Sequence, residues 1–257
     1  MDQGARHVTT TFAFLGQFGD AFEFIFKGQT TREGTEVGGS QFLELTWEHL
    51  KLTFAAMAVA CAIAVPLGLW LGHMRKGGFL AISVSNVGRA VPSLALIALF
   101  VAFLGTGFAN VTLALVLLAV PPILTNAYVA VTQVDPDTVD AAQGMGMTGP
   151  EVVRKVELPL ALPLIFGGIK TSMVNVIATA TIAPLAGINT LGDPIINVSG
   201  YGDTGRLAAA ICVAALAVFT ELALGTVQRA VTPEGLKLST DSASRRMRLR
   251  FGREATT

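Results

Sequence analysis

Residues 50–72 read LKLTFAAMAVACAIAVPLGLWLG, 23 positions that are almost all apolar. Coiled as a helix rising 1.5 Å per residue, they reach about 35 Å, more than the roughly 30 Å hydrocarbon core of a bilayer. Backbone amides and carbonyls find no partner in lipid, so a helix that satisfies them internally is the form such a stretch takes. The bulk composition agrees. Of 257 residues 52% are hydrophobic and 14% charged, and mean hydropathy is +0.60. An ordinary soluble domain carries about 25% charge.

Working outward, four further stretches have the same character. Residues 79–104 are polar in their first half (Ser83, Ser85, Asn86, Arg89) and interrupted by Pro92. Residues 108–131 form a third span, and 160–188 a fourth with an unusual load of Thr, Ser and Asn. Residues 207–228 make the fifth. The expected fold class is therefore all-α, a polytopic membrane helix bundle of about five transmembrane helices. Internal prolines (Pro66, Pro92, Pro121, Pro122, Pro163) suit such a bundle, where neighbouring helices re-satisfy freed carbonyls.

Ahead of the first span, Phe14, Phe18, Phe22 and Phe26 recur every four residues, with Asp20, Glu23 and Lys27 on the other side. That is helical spacing. The stretch is too short to cross, which leaves a helix lying in the membrane interface or one packed on its own subunit. Residues 28–40 read as a loop. The start lacks the pattern of a secretory signal, so the spans themselves are expected to direct insertion. Cys61 and Cys212 lie far apart in apolar stretches, without CxxC or Cys/His spacing, and read as packing residues. No metal site and no cofactor are expected.

Lys and Arg in the connections give the orientation. Arg75 and Lys76 stand in the first loop, none around Gly105–Gly107, Arg154 and Lys155 in the third, Arg206 alone in the fourth. The tail carries Arg229, Lys237, Arg245, Arg246, Arg248, Arg250 and Arg253. The alternation places the first and third loops and the C-terminus in the cytoplasm and the N-terminus outside. The basic tail reads as a topological anchor near anionic lipid, not as a nucleic-acid site.

The third loop is longer than a connection needs, and loops of that length usually have work to do. It reads DPDTVDAAQGMGMTGPEVVRKVELP over residues 135–159. Pro136 and the acidic residues after it open a helix, with carboxylates at its positive end. Gly144, Gly146, Gly149 and Pro150 break it. A short amphipathic piece (Val152, Val153, Val156) follows, and Leu158-Pro159 launches the fourth span.

This segment resembles the cytoplasmic EAA loop of ABC importer permeases. The matching positions are Asp140, Ala141, Ala142, Gly146, Val156, Leu158 and Pro159, with Asp for the usual Glu and Val for the usual Ile. The stretch Asn86–Leu96 and the runs Val156–Pro163, Gly168–Ser172 and Thr179–Gly187 are similar to the osmoprotectant subfamily, which imports glycine betaine, carnitine, choline and related compounds. The resemblance covers about residues 45–232. The subfamily's glycine-rich run after the fourth span is changed here to Gly187-Ile-Asn-Thr-Leu-Gly192.

The resemblance implies an ATP-driven importer in which this chain is the transport subunit and not an enzyme. The EAA loop then docks into a separate ATPase, consistent with a sequence that contains no GxxxxGK[ST]. The partners it implies are two ATP-binding subunits, a second permease subunit (identical or paralogous), an extracytoplasmic substrate-binding protein and the lipid bilayer. The implied division of the chain is residues 1–48 as an extracytoplasmic or interfacial segment, 49–232 as the permease domain, and 233–257 as a basic cytoplasmic tail.

Polar residues inside a span are functional candidates. Thr171, Asn175 and Thr179 share one helix face by i, i+4 spacing and are expected to line the translocation path, the alternative being helix–helix hydrogen bonding. Asn86, Pro92 and Ser93 in the second span join the candidates. Lys170 reads as a snorkelling side chain and Glu221 as a structural hydrogen-bond partner. Gly68 and Gly72 at GxxxG spacing permit close packing. Trp47, Trp70, Tyr128 and Tyr201 are dispersed and form no visible cage for a quaternary ammonium, so selectivity is expected to reside in the binding protein. The alternatives are a permease for another amino-acid-like substrate and an ion-coupled secondary transporter. The latter predicts inverted repeats and intramembrane acidic pairs that the sequence does not show.

Overall fold

The computed structural model describes residues 16–30 and 36–232; Phe14 and the basic tail from 233 onward lie outside the described residues. Helix α1 runs through residues 16–27. A two-residue antiparallel ladder, β1 (Gln29–Thr30) with β2 (Glu36–Val37), leads into α2 (Ser40–His73). Then come α3 (Gly78–Ala90), α4 (Ser93–Leu104) and α5 (Phe108–Thr132). After these follow α6 (Pro136–Gly144), α7 (Gly149–Val152), a π-helical turn (Val153–Glu157) and α8 (Leu158–Ala180). A 3₁₀ turn (Ala183–Ala186), α9 (Asp193–Ile196) and α10 (Val198–Val231), kinked at Gly202 (φ +69°), complete it.

Among the described residues four helical runs are long and apolar enough to cross a membrane: Ser40–His73, Phe108–Thr132, Gly149–Ala180 and Val198–Val231. On α2, Trp47 and Trp70 are both exposed. They stand 23 residues apart, or about 35 Å along the axis, which suits two aromatic anchors at the two faces of a bilayer.

The second expected span, 79–104, is built as two helices. The chain turns extended at Val91 and Pro92 (ψ 121° and 123°), and Ser93–Leu104 is a shorter apolar helix. The cause is local: proline lacks the N–H that continues a helix and pushes the residue before it out of the helical region.

The core is a seam between α2, α5 and α8. Along α2 the buried residues Leu52, Ala56, Ala60, Ala64, Gly68 and Gly72 recur every four positions and face α5. A Cβ on Gly68 would stand 2.5 Å from the Ala127 Cβ and 2.9 Å from the Leu124 carbonyl oxygen; one on Gly72 would meet Val131 at 2.7 Å. The glycine pair therefore sets the approach of two backbones, as small residues do where helices pack in lipid. Side-chain-to-carbonyl hydrogen bonds join the other helices. Ser172 Oγ donates to the Ala119 carbonyl at 2.9 Å, His49 Nε2 lies 3.1 Å from the Ile177 carbonyl, and Gln228 Nε2 donates to the Pro163 carbonyl at 2.8 Å.

At one end of the bundle α1 packs on its own subunit. Ala21 and Phe24 are buried with Phe42, Leu45, Leu191 and Tyr201, and the Phe24 and Phe42 rings meet edge to face at 5.7 Å. Of the Phe stripe, Phe22 and Phe26 are exposed, so the packing face of α1 is the one that carries Ala21 and Phe24. Glu23 and Lys27 pair in solvent at 2.9 Å.

Candidate functional site

Residues 135–159 fold as a knuckle with a small core of its own. Asp135 caps α6, its carboxylate accepting from the Asp137 amide at 3.0 Å, and Pro136 takes the first helical position. Both choices satisfy or remove amides that a helix start leaves without partners. On the inner face Val139 and Ala142 pack with Val134 and Val152, backed by Met147, Val156 and Leu160. On the outer face Asp137, Asp140, Ala141 and Met145 are exposed. The first three of the seven motif residues therefore split: Asp140 and Ala141 present a surface, and Ala142 is 2% exposed and structural.

Gly146 ends this helix at φ +86°, with its amide donating to the Gln143 carbonyl at 2.9 Å and the Met147 amide reaching the Ala142 carbonyl at 3.2 Å. A Cβ there would touch nothing within 4 Å. The demand for glycine is one of backbone handedness, not of space inside the subunit. Thr148 then caps α7: the Glu151 carboxylate accepts from its amide and its hydroxyl, each at 3.0 Å, and pairs with Lys155 at 2.9 Å. The Thr148 amide foremost, then Lys155, hold the Glu151 carboxyl down at about 2 in this solvent-exposed connector.

The fourth span, expected over residues 160–188, begins earlier and ends earlier, at Ala180. From α7 through the π-turn into α8 the backbone stays helical, and Gly149–Ala180 is one run of 32 residues, about 48 Å long. The wide turn, in which the Leu158 amide reaches the Val153 carbonyl, precedes Pro159. Proline offers no amide to the carbonyl four residues back and crowds it, and widening the turn relieves that clash. Leu158 and Pro159 thus sit inside a helix that joins the knuckle directly to the bundle.

On α8 the polar residues divide by face. Ser172 is buried against α5, together with Met173, Val176, Ile177 and Ala180. Thr171 and Asn175 are exposed and Thr179 half-buried on the other side, with the Thr171 hydroxyl bonded to the Gly167 carbonyl at 3.0 Å. In the second span Asn86 and Pro92 are exposed and Ser93 begins α4. α3 and α4 lean on α5, as α8 does from its own side, so α5 is the neighbour common to both sets of candidates. Glu221 is exposed on α10, and Lys170 is half-buried on α8.

Sequence reasoning passed over Glu157 and His73. Glu157 is 3% exposed, and its carboxylate lies 2.9 Å from Nδ1 of His73, the last residue of α2. The signal was present: a carboxylate just before Leu-Pro, on the face that faces inward.

Residues 64–233 match the family of binding-protein-dependent transport system inner membrane components. This chain belongs to that family. It is therefore a transport subunit of an inner-membrane system. The glycine betaine/carnitine/choline transport system permease protein OpuCB of Bacillus subtilis is 37% identical over 203 residues, covering 79% of this chain and 94% of the relative. The carnitine transport permease protein OpuCB of Listeria monocytogenes is 38% identical over 200 residues, 77% of this chain and 92% of its own length. Among solved structures, an inward-facing form of the methionine ABC transporter MetNI shares the fold with TM-score 0.64 at 22% identity, over 75% of this chain and 96% of the matched one. The relatives thus agree with the family and subfamily that the sequence resembles.

Proposed function

We propose that this chain is the membrane-spanning subunit of an ATP-driven importer of betaine-type osmoprotectants such as glycine betaine, carnitine or choline. The observation that carries the coupling half of this reading is the knuckle: a capped helix exposing Asp140, Ala141 and Met145, fixed to a run that continues into the bundle as α8. An element whose backbone continues into a spanning helix suits conversion of an ATPase's motion into helix movement. The substrate half rests on the family and on the names of relatives at 36–38% identity.

In this reading the knuckle is cytoplasmic and the N-terminus outside, as the Lys and Arg alternation requires. The partners are two ATP-binding subunits docked on the knuckles of two permease copies or of a paralogous pair, and a substrate-binding protein on the other side. Thr171, Asn175 and Thr179, with Asn86, Pro92 and Ser93, line the path. Trp47 and Trp70 face outward from opposite ends of α2, Tyr201 is held by Asp193, and Tyr128 lies against Gly78. Four aromatics so placed make no cation–π cage within this subunit, so recognition of the quaternary amine falls to the binding protein.

The test is uptake. Cells without other osmolyte carriers, given this subunit with its ATPase and binding protein, should accumulate labelled glycine betaine, carnitine or choline under osmotic stress. Uptake confined to other amino acids would overturn the substrate, and uptake abolished by an ionophore but not by an ATPase mutation would overturn the energy source. For orientation, single cysteines at Thr106 and Thr148 in a background without Cys61 and Cys212 should label from outside only at Thr106.

A further inference from the structure

The inner end of α2 holds the knuckle at both of its ends. At the exit, the buried Glu157 carboxylate meets His73 Nδ1 at 2.9 Å, across 84 residues of sequence. The other side of the same imidazole lies against the start of α7, where a Cβ on Gly149 would stand 3.3 Å from His73 Nε2. At the entry, Arg75 sits at φ +50°, the one non-glycine residue with positive φ among the described residues, and its guanidinium reaches the Val134 carbonyl at 3.5 Å. Val134 immediately precedes the Asp135 cap of α6.

We propose that His73 and Glu157 are positioning residues, a joint that makes α2 move together with the knuckle and α8. The proposal rests on the reading of the knuckle as the ATPase contact. A carboxylate 3% exposed is held in place by its partner, because leaving it alone in a low-dielectric setting is strongly unfavourable. It lies at the end of the π-turn, the part of the run whose hydrogen bonding is least regular and where a helix most readily hinges. An imidazole wedged between Gly149 and the Glu157 carboxylate blocks that hinge. Displacement of α6 then passes into α8 along the helix and into α2 through the imidazole. Through its seam with α5, α2 carries the movement across the bundle.

The experiment uses the whole transporter, with ATPase and binding protein, in proteoliposomes, and reads glycine betaine moved per ATP hydrolysed. His73→Ala and Glu157→Ala should keep the ATPase subunit bound and ATP turnover running, while transport per ATP falls about tenfold. The double variant should be no worse than either single one, because both remove the same contact. Glu157→Gln, which keeps an acceptor for the imidazole, should recover most of the ratio. Unchanged coupling in the alanine variants, or losses that add, overturns the joint. Should the alanine variants fail to insert, His73→Met, which keeps the bulk and removes the ring nitrogens, takes their place: transport per ATP should fall with the ATPase still bound, and normal coupling or a loss of ATPase binding overturns the joint equally. A wild-type complex that holds no ATPase refutes the reading of the knuckle and the joint with it. A wild type that couples normally, beside variants that couple as well, refutes the joint alone.

Discussion

Glycine is used at the α2–α5 seam and at the knuckle for opposite reasons. At the seam Gly68 has ordinary helical backbone and no room: the Ala127 Cβ and the Leu124 carbonyl occupy the space a side chain would take. At the knuckle Gly146 has room on every side and an unusual backbone, φ +86°. One position is set by packing and the other by chain direction. Substitution at the first attacks the bundle, and substitution at the second attacks the surface proposed to meet the ATPase. The two regions should therefore fail separately, in stability and in coupling.

The largest effect is expected at the seam. Gly68→Ile forces α2 and α5 apart over a contact that includes Ala60, Ala64, Gly72, Ala127 and Val131, and overpacking of this kind destabilises by about 3 kcal/mol. Purified protein should show a lower melting temperature and a smaller yield of inserted subunit, with uptake lost in proportion to protein. A normal melting temperature would mean that the two helices are not held as tightly as the glycine pair indicates.

At the knuckle Gly146→Asp should abolish uptake while insertion and yield survive. The left-handed backbone costs a side-chain-bearing residue about 1–2 kcal/mol, which shifts the turn after α6 without touching the bundle. Co-purification of the ATPase subunit with tagged permease checks it: the complex should be lost from a permease that still melts normally. A lesser change on the same surface is Asp140→Lys. It reverses an exposed charge next to Ala141 and should weaken ATPase capture several-fold, whereas Asp140→Glu, which keeps the carboxylate, should be tolerated. Gly146→Asp protein that retained its ATPase and transported normally would remove the distinction between the two regions.

What the sequence made legible follows the same division. Spans 50–72, 108–131 and 207–228 each lie inside one observed helix, because hydrophobic length alone decides them. The site motif was legible as spacing: an acidic residue, two alanines, a glycine and Leu-Pro. Its three-dimensional sense was not. Spacing cannot say that Ala142 faces inward while Ala141 faces out, since that depends on Val139, Val134 and Val152 meeting beneath α6. Nor does local chemistry join His73 to Glu157, a contact made only once α2 and α8 pack on α5. Pro92 and Pro159 show how the same residue reads two ways. Pro92 separates two helices, whereas Pro159 lies within one, the strain taken up by a π-turn that no local signal announces. On α1 the four-residue Phe spacing left an interfacial and a subunit-packed helix both open, because it cannot say that Ala21 and Phe24 are the residues that pack against Phe42 and Tyr201.

The smallest effect separates the two faces of α8 and tests whether seam and function can be parted within one helix. Ser172 and Asn175 are one turn apart. Ser172 gives its hydroxyl to the Ala119 carbonyl at 2.9 Å and is fully buried, so it belongs to the seam. Asn175 is exposed on the face shared with Thr171 and belongs to the proposed path. Hydrogen bonds between helices in a membrane contribute about 0.6 kcal/mol on average. Ser172→Ala should therefore lower the melting temperature by no more than a few degrees and leave the KM for transport unchanged. Asn175→Ala removes no contact within the subunit core, so it should leave the melting temperature alone and alter the KM or the rate of uptake several-fold. The discriminating measurement is the pair of quantities on each variant. If Asn175→Ala lowers stability and spares transport, its face is an interface between helices or subunits, and the path lies elsewhere in the bundle. If Ser172→Ala changes transport without changing stability, the buried face of α8 takes part in substrate movement, and the division between a packing face and a working face does not hold for this helix.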